Sequence, residues 1–310
     1  MWKATAEVDR ARVLDADTER AGEFLRTAGP WALMPGASYA FKIPGSPAGL
    51  GQLICLVGAP PDGVAGGILE VVDETPGQMV RVRSRSTNPV GKQVVTLSVE
   101  PHRGRLRARL GLRVACGLAE RTSVENAWRN RLDAWLSALA DTLEGRTSWP
   151  SDEESAGVLH AWRDGSGLSD HETVGVEDVI RASPGPVWQA VRSPETQRRV
   201  LRAVCGGYVP GTPEHQVGEM VCYVLSRPQD QLVATISVVA DVAEEQSVLM
   251  RRVGRPSSET LTTLRPADDG THMTLARRIP SGSASGALQD AAADLRSRIN
   301  AYKELLEQPT

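Results

Sequence analysis

Trp128-Arg129-Asn130-Arg131-Leu132-Asp133-Ala134-Trp135 and Leu295-Arg296-Ser297-Arg298-Ile299-Asn300-Ala301-Tyr302 decide the fold, because they are the same segment written twice. Each puts a large apolar residue at its first, fifth and eighth positions with polar residues between. That is the spacing of one stripe along a helix. Extended in both directions, the stripes run through Val124, Trp128, Leu132, Trp135 and Leu139, and through Leu288, Ala291, Leu295, Ile299, Tyr302 and Leu306. An apolar stripe of this length needs a partner surface.

Sliding the chain over itself finds more of the repeat, at offsets of 165 to 168 residues. Gly51-Gln52-Leu53-Ile54-Cys55 falls on Gly218-Glu219-Met220-Val221-Cys222, and Gln78 to Arg85 falls on Gln246 to Val253. The segment from Leu106 to Val114 falls on Met273 onward, which sets Leu110 opposite Arg277. Two copies of an α+β domain are expected, over 1–146 and 171–310. Between them residues 147–170 carry the Pro, Gly, Ser and acidic content of a linker, with Trp149, Leu159 and Trp162 apolar enough for part of it to pack.

Strand period is clearest at 105–114, where Leu106, Ala108, Leu110, Leu112 and Val114 alternate with arginines. One buried face and one wet face imply an antiparallel sheet. Turn signals such as Thr75-Pro76-Gly77 and Asp268-Asp269-Gly270 break up the other strands, while Asp17 and Ser183-Pro184 mark a short helix after the first strand of each copy. The simplest packing is a curved antiparallel sheet wrapped around the long C-terminal helix of its own copy.

Composition excludes several classes of function. A formal charge of −3 supplies no basic field, so no nucleic-acid partner is expected. Only four of the 35 basic residues are lysines. No apolar run approaches the roughly 18 residues of a membrane span, and the N-terminus has no signal-peptide core; a soluble, cytoplasmic protein without a membrane span is expected. Cys55, Cys116, Cys205 and Cys222 form no C-x-x-C pair and have no histidine neighbour, so neither disulfide nor metal site is indicated. Gly282-Ser283-Ala284-Ser285-Gly286 has alanine where a hydrolase elbow needs serine.

The run Val179-Ile180-Arg181-Ala182-Ser183-Pro184-Gly185-Pro186-Val187-Trp188, the segment Gly211-Thr212-Pro213 through Val217-Gly218-Glu219, the hairpins and the final helix together resemble the START-like, polyketide-cyclase (SRPBCC, helix-grip) superfamily. The resemblance implies tandem helix-grip domains, each with a cavity between sheet and helix for a hydrophobic or amphipathic ligand. The layout looks like the didomain aromatase/cyclases of bacterial antibiotic biosynthesis, which implies a cofactor-free enzyme acting on a polyketide intermediate. Alternatives are a non-catalytic lipid or small-molecule carrier and a co-chaperone-like protein-binding module; a homodimer is left open. Aromatic residues are only 4% of the chain, and no catalytic signature carries over position by position.

Candidate site residues come from comparing the copies. Val80 and Val82 match Val248 and Met250, so Ser84 and Arg252 share the inward parity; on the last strand Arg277 does the same. Arginines on an inner face need a carboxylate, water or an anionic or carbonyl-bearing ligand. Arg252 and Arg277 are expected either to hold a carbonyl or enolate oxygen, or to turn to solvent or pair with Glu219 or Asp241. Tyr223, opposite Leu56, is a candidate hydroxyl donor or an ordinary strand tyrosine. Met250, Met273, Trp188, Leu295 and Glu219 complete the expected ligand-binding set, with Trp188 at a pocket mouth or in the core and Glu219 sharing a structural place with Gln52. Copy one is expected to be apolar across its inner face. His272 is expected on the wet face, and His102, His160, His171 and His215 in turns or linker.

Overall fold

The computed structural model describes residues 3–58, 65–86, 92–148, 157, 170–254, 258–283 and 286–307. It divides into two compact units, Met1–Val158 with Ser226–Ala234, and Leu159–Leu225 with Thr235–Thr310. Trp149, His160, Leu159 and Trp162 lie outside the described residues, as does most of 147–170.

The first unit opens with β1 (Lys3–Leu14), then α1 (Thr18–Leu25) and α2 (Gly29–Ala32). Asp17 caps α1 by accepting from the Glu19 N–H at 3.0 Å. The strands β2 (Ala37–Lys42), β3 (Leu53–Gly58), β4 (Ala65–Thr75), β5 (Met79–Ser84), β6 (Gln93–His102) and β7 (Arg105–Gly117) follow, then α3 (Arg121–Leu143). The sheet is antiparallel, in the order β1-β7-β6-β5-β4-β3-β2. Its topology follows from hairpins closed in sequence, with β1 folded back onto β7 from Lys3↔Gly117 to Leu14↔Leu106. Along β7 the side chains alternate as the period predicts, with Leu106, Ala108, Leu110, Leu112 and Val114 all buried. Arg109 and Arg113 face outward to Asp9 and Glu7 at 3.5 and 3.1 Å, exposed pairs of small energetic weight.

α3 buries Leu132, Trp135, Leu136, Leu139, Ala140 and Leu143 in the same core as the inner face of the sheet. Trp135 meets Trp31 edge-on, ring centroids 5.7 Å apart, and its indole N–H donates to the Pro30 carbonyl at 2.8 Å. The short α2 is thereby held against the long helix.

The second unit repeats the order: β8 (His171–Ile180), α4 (Pro184–Arg192), α5 (Pro194–Val200), β9 (Cys205–Tyr208), β10 (Met220–Ser226), β11 (Leu232–Ala243), β12 (Ser247–Arg252), β13 (Glu259–Ala267), β14 (Gly270–Pro280) and α6 (Ala287–Leu306). Its sheet has the order β8-β14-β13-β12-β11-β10-β9, the first order repeated strand for strand. The α+β architecture of two antiparallel sheets, each with a long closing helix, is the one expected. Even the irregularities repeat. A bulge at Val71/Asp73 in β4 has its counterpart at Val239/Asp241 in β11.

Register corrects one sequence match. Leu14 pairs with Leu106 and Ile180 with Thr271, so the last hairpins correspond at an offset of 165, not 167. Arg277 therefore answers to Leu112, and Leu275 to Leu110. The sequence match slipped by two residues because slipping a strand by two keeps every apolar residue on the same face.

Candidate functional site

Residues paired across neighbouring strands share a face of the sheet. The pairs Val174↔Arg277, Arg277↔Thr260, Thr260↔Met250 and Met250↔Val239 thus form one inward row across β8, β14, β13, β12 and β11. Arg252 follows Met250 on the same face, half-buried and opposite Ser237. The inward parity expected for both arginines is thus the observed one.

Arg277 is met from the helix side. Its Nη2 donates to Asp294 Oδ2 at 2.7 Å and its Nε to Thr260 Oγ1 at 3.4 Å. Asp294 is on α6 and also receives Arg298, one turn on, at 2.8 Å. The carboxylate partner is thus neither Glu219 nor Asp241, the two named from sequence. The cluster holds two guanidiniums and one carboxylate, a surplus of one positive charge between sheet and helix. Arg298 Nε is buried and has no hydrogen-bond partner among the described residues, although a quarter of the side chain remains accessible. Burial, and then the adjacent Arg277, push Arg298 down from the usual guanidinium range. Burial also acts against the Asp294 charge, yet Arg298 and Arg277 outweigh it and hold the carboxyl below its ordinary value.

Beyond Arg298 lies Tyr302, fully packed, its phenol pushed up to about 12 by burial. Gln197 of α5 donates to the Tyr302 hydroxyl and to the Val191 carbonyl, the latter at 2.7 Å. Tyr223 is buried on β10, where burial first and then the fields of Tyr302, Tyr208 and Glu219 raise its phenol far above its ordinary value. Both phenols stay protonated at neutral pH, and the Tyr302 oxygen accepts from Gln197.

Glu219 is 1% exposed and pairs with Arg192, Nη2 to Oε2 at 2.8 Å. The His215 backbone N–H donates to the same oxygen. Burial still dominates and raises the Glu219 carboxyl. Trp188 is half-buried against the second core, with the Arg192 guanidinium 6.0 Å from its ring centroid. The site residues named from sequence thus separate. Arg277, Met250 and Arg252 share the inner face, and Tyr223 stands apart on β10, within the field of Tyr302. Trp188 and Glu219 gather around Arg192, while Met273 and Leu295 are sealed in the core at 0% exposure. His272 lies on the outer face, 3.7 Å from Glu177.

Sequence reading missed Asp294, Arg298 and Arg192. A signal for Asp294 existed: at the helix offset of 167 it answers to Ala127, and by register Arg277 answers to Leu112. Two positions that are apolar in one copy carry an Arg–Asp ion pair in the other.

No protein-family model and no curated protein matches the chain. Among solved structures it is similar over its whole length to the di-domain ARO/CYC BexL from the BE-7585A biosynthetic pathway, at 12% identity and a TM-score of 0.38, covering 100% of both chains. It is also similar to the di-domain ARO/CYC StfQ from the steffimycin biosynthetic pathway, at 10% identity and TM-score 0.37, over 96% of this chain and 98% of that one. A third likeness, to Aha1 from Colwellia psychrerythraea, spans 44% of this chain and 96% of that one at 13% identity and TM-score 0.35.

Proposed function

We propose that the second unit binds an amphipathic small molecule bearing a carbonyl or anionic oxygen between its sheet and α6, and that it acts on that molecule as a cofactor-free polyketide cyclase or aromatase. The observation that carries this reading is the cluster Arg277–Asp294–Arg298, with its surplus positive charge and the unpartnered Arg298 Nε. A buried polar donor without an acceptor costs about 1–3 kcal/mol, and an acceptor oxygen on a ligand would recover it. The apolar neighbours Val174, Met250 and Val239 suit a carbon chain.

In an aldol ring closure, a methylene between two carbonyls loses a proton to a water molecule, the resulting enolate carbon forms a bond to the carbon of a third carbonyl as its C=O π bond opens, and that oxygen takes a proton. Loss of water then gives the conjugated ring. Arg277 and Arg298 would stabilise the enolate oxygen, and Tyr223, held protonated, would donate to the new alkoxide.

Arg277→Leu together with Arg252→Leu should lower turnover of a poly-β-ketone thioester by about two to three orders of magnitude, the range for losing oxyanion donors. The fold should persist because Asp294 keeps Arg298. Unchanged product formation would remove the assignment.

A carrier without catalysis is favoured by one feature, the depressed Asp294 carboxyl, which makes it a weak base. Native mass spectrometry of the freshly purified chain separates the two readings: a retained lipid with no turnover of the thioester supports the carrier.

A further inference from the structure

Equivalent positions in the two units are built differently at the end of the first short helix. In the second, Glu219 and Arg192 form a buried ion pair. In the first, the backbone around Gln52 repeats that of Glu219: Val71 N–H donates to the Gln52 carbonyl at 2.9 Å, as Val239 does to Glu219 at 2.8 Å. Arg26 ends α1 as Arg192 ends α4. Gln52 has no charge to offer Arg26, and where the second unit has its ion pair the first has a cavity of about 270 Å³.

The rim of this cavity is Arg26, Lys42, Gln52 and Glu74, and its floor includes Trp31, Ile54 and Val80. Two cations and one carboxylate leave the rim one positive charge in surplus. Among the described residues Arg26 makes no ion pair. Lys42 occupies in the first unit the position that Tyr208 occupies in the second, since Lys42 pairs with Ile54 and Tyr208 with Val221. Burial lowers its ammonium pKa and Glu74 only partly restores it. An anion at the rim would favour the charged lysine.

We propose that the first unit carries its own ligand site, for a small monocarboxylic acid whose carboxylate lies between Lys42 and Arg26 and whose ring or short chain rests on Trp31, Ile54 and Val80. The volume of the cavity suits such a ligand. An apolar cavity of about 150 Å³ accepts benzene, whereas drug-sized ligands take pockets from about 300 Å³ upward, so this site suits one ring or a short chain with one charged group. The expectation that the first copy is apolar across its inner face holds along β7 and fails at this rim, where Lys42 of β2 and Glu74 of β4 share the face of Ala40 and Val80. The site does not depend on the reading of Arg277 and Arg298.

The test is calorimetric titration of the full chain with phenylacetate, hexanoate and the uncharged counterpart 2-phenylethanol. Phenylacetate should bind saturably, and 2-phenylethanol about tenfold or more weakly, the size of a lost charge-assisted hydrogen bond. Gln52→Glu, which installs the second unit's carboxylate beside Arg26, should weaken phenylacetate by a similar factor. Lys42→Met should do likewise, and Lys42→Arg should retain binding. Arg277→Leu removes any phenylacetate bound in the second unit, so binding that persists in that variant and is lost on adding Lys42→Met belongs to the first unit. Circular dichroism identifies any variant that fails to fold; if Lys42→Met does, Gln52→Glu decides. No saturable binding of either acid, equal affinity for 2-phenylethanol, or full binding by Gln52→Glu would each overturn the proposal.

Discussion

Gly206 and Tyr223 face each other across β9 and β10, where the first unit has Ala40 and Leu56. A Cβ on Gly206 would lie 2.4 Å from Tyr223 Cδ1 and 2.5 Å from the Cys222 carbonyl oxygen. The missing methyl makes room for the Tyr223 ring and for the β10 backbone beside it. Gly206→Ala should therefore destabilise the second unit by about 1–3 kcal/mol, as overpacking typically does, and Tyr223→Leu in the same chain should recover part of the loss. Urea denaturation of the single and double variants measures both. Tyr223 was visible in the sequence as a polar intruder on an apolar strand. Gly206 was not, because only the pairing of β9 with β10 shows what stands over it.

At the scale of elements, each long helix is fastened to its sheet by apolar packing and by an ion pair, Arg10–Asp133 for α3 and Arg277–Asp294 for α6. α3 uses close packing, with Trp135 and Leu139 at 0% and 1% exposure. Trp135→Ala should cost about 3–5 kcal/mol, the range for emptying a buried aromatic site, read as a fall in the denaturant midpoint. In α6 the ion pair joins Arg277 and Asp294. Asp294 titrates below its ordinary value in the folded chain, so it contributes stability above the unfolded pKa of about 4, and that contribution is lost as pH falls through the depressed value. Melting temperatures across that acid window should fall less steeply in Asp294→Asn than in the parent. The difference should be modest, since 45% of the Asp294 side chain is exposed and water screens the pair. An identical acid limb in both proteins would show that the tie adds nothing. The stripes of both helices were legible from spacing alone. Asp294 and Arg298 were not, because in sequence they are ordinary polar residues beside an apolar stripe, and only packing turns them toward β14.

For the whole molecule, all seven strands of the second sheet and its closing helix lie within residues 171–310, so each strand of that sheet has its neighbouring strands in the same segment, although Ser226–Ala234 group with the first unit. We propose the boundary at 147–170 on the composition of that stretch and on this closure. Expressed alone, residues 171–310 should unfold in one cooperative transition, since they retain their own core of Val176, Ile180, Leu275, Leu295 and Ile299. A broad, non-cooperative melt would place the boundary elsewhere. Among the described residues no helix is long and apolar enough to cross a membrane.

The duplication, the antiparallel sheets and the long closing helices were determined by the sequence itself, because periodicity and self-similarity are local properties that survive without coordinates. Tertiary structure alone decided which charges meet. Register moved Arg277 from Leu110 to Leu112, α6 supplied the carboxylate that Glu219 or Asp241 had been expected to supply, and where the second unit has the Glu219 ion pair the first, with Gln52, has a cavity. Such pairings join residues distant in the chain, and their energies depend on burial and on distances of a few ångströms, which no local pattern encodes.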